Sequence, residues 1–149
     1  MTEYNRGERY LEVTVGERAV CVPVSHIDEI VNPGQDRRLT EQIVAGKSNL
    51  VFGDRNLPMV DLRRVFDDPA GVSGDSCRIL IAHHGDHRLA LLVDSTERIL
   101  CPDNAQIDEV SDSEYEQGQR PISGTLLWDD QRCSVLSLEG ILALVRAGK

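Results

Sequence analysis

Short apolar stretches alternate with polar turns along most of the chain, the pattern of a protein built mainly from strands. Residues Tyr10–Val15 alternate like a half-buried strand, Gly16-Glu17 supplies a two-residue turn, and residues 19–24 return as the second arm of a hairpin. Pro23 has no N–H to give to a ladder and belongs at a strand end or edge. The chain runs on extended through Ile27, Ile30 and Val31 until Asn32-Pro33-Gly34 breaks it. A polar piece follows, with a short helix over residues 39–45 closed by Gly46. A second hairpin comes next: a strand ending at Phe52, a turn over Gly53-Asp54-Arg55-Asn56, and a strand over residues 57–60. Asp61 stands at the N-cap position of a helical turn that carries Leu62, Val65 and Phe66.

This pattern then repeats. Residues 50–66 fall without a gap on residues 126–142, so that Val51 meets Leu127, Leu57 meets Cys133, and Asp61 meets Ser137. The first hairpin recurs as well, with Gly16 on Gly85, Val20 on Leu89, Val24 on Val93 and Ile30 on Ile99. The chain is therefore two copies of one unit, in approximate halves 10–66 and 77–147, joined by a linker over residues 67–76 (DDPAGVSGDS). Each copy holds a hairpin with an extended tail, a variable connection, a second hairpin and a helical turn. In the second copy the connection over residues 102–120 reads as a surface loop with a short helix, and the terminal helix carries Leu138, Ile141, Leu142 and Val145. About five short strands per unit suggest a small barrel or a strongly curved sheet. A unit of roughly 70 residues buries too little to fold well alone, so stability should come from packing the halves together as one domain.

Composition narrows the function. Aromatics are only 4% of residues, which leaves the packing to Val, Ile and Leu. A net charge of −9, with no basic run longer than two, speaks against nucleic acid and against an anionic membrane surface. The aliphatic run 89–93 is far short of the roughly 20 residues that span a bilayer, and no apolar leader opens the chain, so a cytoplasmic protein without membrane insertion is expected. Cys21, Cys77, Cys101 and Cys133 show no C-x-x-C spacing, and no cofactor motif is present. The weak metal candidates are His84 and His87, which a Gly85-Asp86 turn would set opposite each other; a third ligand would have to come from Asp86 itself. Asp61 could serve as a general base, but capping its helical turn is the simpler role, since Ser137 takes the same place in the repeat.

Four blocks, YLEVTVGERAVCVPVSHIDEIV, NLVFGDRNLPMVDLRRVF, CRILIAHHGDHRLALLVDSTERIL and ISGTLLWDDQRCSVLSLEGILAL, resemble the CheW-like domain and occur in that family's order. The segment from Pro58 to Arg63 is similar to the family's P-x-[IV]-D-L-R, and Leu92-Val93-Asp94 to its L-V-D. The resemblance implies a mainly β fold of two pseudo-symmetric, SH3-like five-stranded barrels packed together, with short helices and a receptor-binding groove between the barrels. It also implies a non-enzymatic adaptor of a chemotaxis-like signalling system, with two partners: the regulatory domain of a CheA-type histidine kinase and the cytoplasmic tip of a chemoreceptor. The partner-binding residues expected on this basis are Ile27, Glu29, Ile30 and Val31, with Gly53, Asp54 and Arg55 at the second turn. One departure bears on the receptor: where the family carries Asn-Leu-Arg-Gly, this chain reads Asn49-Leu50-Val51-Phe52, without the arginine. Two alternatives stand beside the adaptor: a small metal-dependent enzyme or sensor using His84 and His87, and a self-assembling structural barrel protein.

Overall fold

A computed structural model describes residues 8–66, 71–72, 74–102, 107–109, 121–128 and 130–146. Half of the linker 67–76 and most of the connection 102–120 lie outside these residues. The strands are β1 (Tyr10–Val15), β2 (Arg18–Pro23), β3 (Ile27–Val31), β4 (Asn49–Phe52), β5 (Arg55–Asp61), β6 (Arg78–His84), β7 (His87–Val93), β8 (Ser95–Leu100), β9 (Ile107–Glu109), β10 (Ile122–Trp128) and β11 (Gln131–Leu136). Three helices join them: α1 (Arg37–Val44), α2 (Leu62–Val65) and α3 (Leu138–Arg146). Between β2 and β3 the chain forms a 3-10 turn over Val24–His26, where the sequence pattern suggests continuous strand. Each of Gly16, Gly53 and Gly85 opens a two-residue hairpin turn with φ near +60° (63°, 66° and 62°), a conformation that glycine adopts without steric penalty.

The strands form a six-stranded sheet in the order β8-β1-β2-β11-β10-β9 and a five-stranded sheet in the order β3-β6-β7-β5-β4. The sheets do not coincide with the sequence halves. Each takes its central hairpin from one half (β1-β2 or β6-β7) and its flanking strands from the other. The crossovers are the 3-10 turn after β2 and the single residue Asp94 after β7. The repeat holds through this exchange, position by position. Val13 lies opposite Thr96 in one sheet and Ala82 opposite Ile27 in the other; Leu11 with Ile99 matches Leu80 with Ile30. The parallel pairing of Val135 with Cys21 matches that of Met59 with Ala90. Even the register slips correspond, leaving Asp28 as the extra residue of β3 and Glu97 as that of β8.

This exchange explains the near-continuous apolar runs of the central strands, which are buried on both faces. On β7, Leu89, Leu91 and Val93 enter a core between the sheets, while Ala90 and Leu92 enter the core of the five-stranded sheet. On β2, Val20 and Val22 face the shared core and Cys21 faces the core of the six-stranded sheet. The shared core is the largest of the three and collects β1, β2, β5, β6, β7, β11, α2 and α3, so the halves stabilise each other.

A polar latch closes the boundary. Asp94, at the β7–β8 crossover, accepts from the Gly16 N–H at 2.6 Å through one carboxylate oxygen and from Arg63 Nη1 at 3.3 Å through the other. Asp61 caps α2 by accepting from the Arg63 N–H at 3.0 Å, and both its oxygens also accept from the Val72 N–H. Arg63 Nη1 donates in turn to the Gly71 carbonyl, and Val72 is buried in the core of the five-stranded sheet. This end of the linker stretch is thus fastened to the first half. Ser137 caps α3 in the same way, accepting from the Gly140 N–H at 3.0 Å.

Candidate functional site

The structure brings one residue from each of the two expected contact groups together. β3 is one edge of the five-stranded sheet and β4 the other, and the sheet curls until Glu29 on β3 meets Arg55 at the start of β5, with Oε1 to Nη2 at 3.4 Å. The Arg55 guanidinium also lies over the Phe52 ring, 4.7 Å from its centroid. Both partners of the ion pair are partly solvated, so it serves more to fix the seam than to stabilise the fold. Gly53 and Asp54, in the turn beside it, are exposed. Within β3, Ile27 packs on the shared core and Val31 on the core of its own sheet, while Glu29 and Ile30 are exposed, on opposite faces of the strand.

The pseudo-symmetry explains why Glu29 is available. In the six-stranded sheet the equivalent residue, Arg98, faces Glu12, and its Nε binds that buried carboxylate at 2.7 Å. In the five-stranded sheet Glu29 faces Ile81, which offers no polar partner, so Glu29 reaches across the seam to Arg55. The two bulge residues are treated alike. Asp28 accepts from His83 Nδ1 at 2.8 Å; Glu97 accepts from Ser95 and, on the strand position equivalent to His83, from Thr14 Oγ1 at 3.0 Å. The Ser95 and Thr14 hydroxyls hold the Glu97 carboxyl below its usual range.

Exposed aliphatics occur in symmetric pairs. Ile30 and Ile99 are 48% and 50% exposed, and Val51 and Leu127 are 55% and 45% exposed. Each sheet therefore presents the same two apolar spots on its outside. Sequence reasoning singled out Ile30 alone, although the repeat already aligned it with Ile99 and Val51 with Leu127; strand alternation could not say which face was covered. Val51 occupies the third position of the Asn-Leu-Arg-Gly motif, and an exposed aliphatic side chain thus stands where that motif has its arginine.

The histidine rings have protein partners. His84 lies opposite His87, as the turn implies, but Arg146 Nη2 donates to His87 Nε2 at 2.6 Å and occupies that lone pair. The His84 ring instead neighbours that of His26, with centroids 5.7 Å apart. No group of three metal-binding side chains occurs among the described residues. Burial pushes the thiols of Cys21, Cys77 and Cys133 up, away from the thiolate form that nucleophilic chemistry needs; Cys101 alone of the four is exposed. No helix among the described residues is long and apolar enough to cross a membrane.

A family model described as the CheW-like domain matches residues 9–146, nearly the whole chain. The protein belongs to the CheW-like domain family. No curated protein matches it. Among solved structures, the scaffolding protein TtCheW from Thermoanaerobacter tengcongensis is similar, with a TM-score of 0.68 at 14% identity over 93% of this chain and 89% of that one. At that identity the likeness speaks for the fold. The CheW-like fold of two packed, curved β-sheets is thus reached by sequence repeat, sheet topology and structural comparison alike, with β9 as an additional strand on one sheet.

Proposed function

We propose that this CheW-like protein is a non-enzymatic scaffold that couples a CheA-type histidine kinase to an input component, the kinase's regulatory domain docking on the seam formed by β3 and the β4–β5 turn. The observation that carries this reading is the contact of Glu29 with Arg55, which joins β3 to the start of β5 beside the exposed Gly53-Asp54 turn, with the exposed Ile30 next to Glu29 along β3. An exposed isoleucine on an edge strand that also carries charge has the form of an interface anchor. The second pair of exposed aliphatics, Ile99 and Leu127, gives the opposite sheet a similar apolar surface, so one chain offers two faces for two partners. Such bivalency is what an adaptor needs, because it acts by holding other proteins together. The missing arginine at Val51 alters the surface a receptor would meet, and we assign the kinase contact ahead of the receptor contact. A pull-down with the kinase regulatory domain tests the reading, with Ile30→Asp as the control. The unmutated protein should retain the domain and the variant should not; failure of the unmutated protein to bind would remove the proposal.

A further inference from the structure

The outer edge of β4 carries a side chain in the place of a strand. β4 pairs with β5 on one side, Asn49 facing Pro58, Leu50 facing Leu57, Val51 facing Asn56 and Phe52 facing Arg55. On its other side it is the last strand of its sheet. There the Gln42 carboxamide of α1 accepts from the Val51 N–H at 2.7 Å and donates to the Val51 carbonyl at 3.0 Å. One primary amide thus satisfies both outward backbone groups of Val51, with the same donor and acceptor that a neighbouring peptide unit would present. Gln42 Nε2 also donates to the Arg38 carbonyl at 3.1 Å, within its own helix.

The sister sheet shows what this edge geometry accepts. β10 is the pseudo-symmetric counterpart of β4, and its outer edge is taken by β9: Gly124 faces Glu109, Thr125 faces Asp108 and Leu126 faces Ile107. The repeat lays these three β10 residues on Ser48, Asn49 and Leu50, and Leu126 and Leu50 are both fully buried in the cores of their respective sheets. The equivalent edge is therefore covered twice at adjoining positions, in one sheet by a strand reading Ile-Asp-Glu along Gly124–Leu126 and in the other by Gln42 at Val51, one residue beyond the stretch equivalent to Gly124–Leu126. On the Gln42-covered edge itself, Val51 is 55% exposed. A hollow of about 600 Å³ lined by Leu39, Gln42, Val51 and Phe52 separates α1 from β4.

We propose that the β4 edge is a docking site for an extended segment of a partner protein, of the aliphatic and acidic type shown by β9, which adds antiparallel to β4 as Gln42 swings aside. Main-chain bonds to Asn49 and Val51 give the affinity, the incoming aliphatic residue covers Val51, and Gln42 guards the edge against indiscriminate pairing while it is empty. The proposal does not rest on the kinase contact at the seam, which this site adjoins at Phe52.

The test uses full-length protein and a fluorescent peptide of the chain's own β9 region, residues 105–111, followed by anisotropy. The peptide should bind the unmutated protein weakly. Gln42→Ala removes two competing hydrogen bonds and should tighten binding about tenfold. Val51→Pro, tolerated on an edge because the Val51 N–H points away from β5, should abolish binding. Exchange of the Val51 amide provides a second reading without that variant: it should be slowed by peptide in Gln42→Ala. Absence of binding to Gln42→Ala, or binding that Val51→Pro leaves unchanged, would overturn the proposal. So would self-association of Gln42→Ala that Val51→Pro reverses, because the occupant would then be a second copy of this chain.

Discussion

Removal of the Asp94 carboxylate should loosen the joint between the two halves. Its two oxygens are held by the Gly16 N–H at 2.6 Å and by Arg63 Nη1 at 3.3 Å, and its side chain is 16% exposed. A hydrogen bond to a charged group contributes about 1.5–3 kcal/mol, and the partial exposure and the longer of the two bonds place this pair toward the lower end, about 3 kcal/mol together. For a domain of this size each kcal/mol lowers the melting temperature by about 2–4 °C, so Asp94→Ala should melt roughly 6–12 °C lower. Asp94→Asn keeps one acceptor oxygen, which can serve Gly16 or Arg63 but not both, and should lose about half as much. Arg63→Ala combined with Asp94→Ala should be less destabilising than the sum of the two, because they share one contact. Thermal unfolding followed by circular dichroism reads all four proteins. A loss under about 2 °C for Asp94→Ala, or strict additivity with Arg63→Ala, would refute the latch.

Three further outcomes follow from the same geometry. Arg98→Ala strands the Glu12 carboxylate, only 8% exposed, and should destabilise by about 1–3 kcal/mol in denaturant unfolding, whereas Glu12→Ile should be neutral or stabilising, since Ile81 fills the equivalent place in the other sheet. Gly71→Ala should destabilise more than Gly53→Ala: both have positive φ, but only at Gly71 would a Cβ come within 2.9 Å of the Asp61 carboxylate and the Arg64 guanidinium, and paired urea melts measure the difference. An aromatic disulfide reagent should label Cys101 rapidly in native protein, while Cys21, Cys77 and Cys133 react only on unfolding; fast release from more than one thiol in the native state would contradict their burial.

The repeat was legible in the sequence because its apolar positions and turn glycines keep their spacing, and the structure preserves it down to the bulges at Asp28 and Glu97. The exchange of strands between sheets was not legible. Periodicity reports that Leu89–Val93 is apolar throughout but not which neighbour covers each face, and a hairpin followed by a strand looks the same whether that strand stays or crosses. Glu29 and Arg55 could be named from the family resemblance, yet their meeting depends on sheet curvature that brings opposite edges together. Gln42 carried no signal at all: a glutamine on a polar helix is ordinary until the Val51 backbone is placed beside it. The surroundings of the paired histidines were hidden for a related reason. The hairpin does set His84 opposite His87, and Arg146, far along the chain, donates to His87 Nε2.

The seam itself is tested most directly by titrating isotope-labelled protein with the kinase regulatory domain and mapping backbone amide shifts. The account predicts perturbation concentrated at Glu29, Ile30, Gly53, Asp54 and Arg55, saturating with the domain and lost in Ile30→Asp. Perturbation elsewhere that leaves these five residues unchanged, or none at saturating concentration, would contradict it.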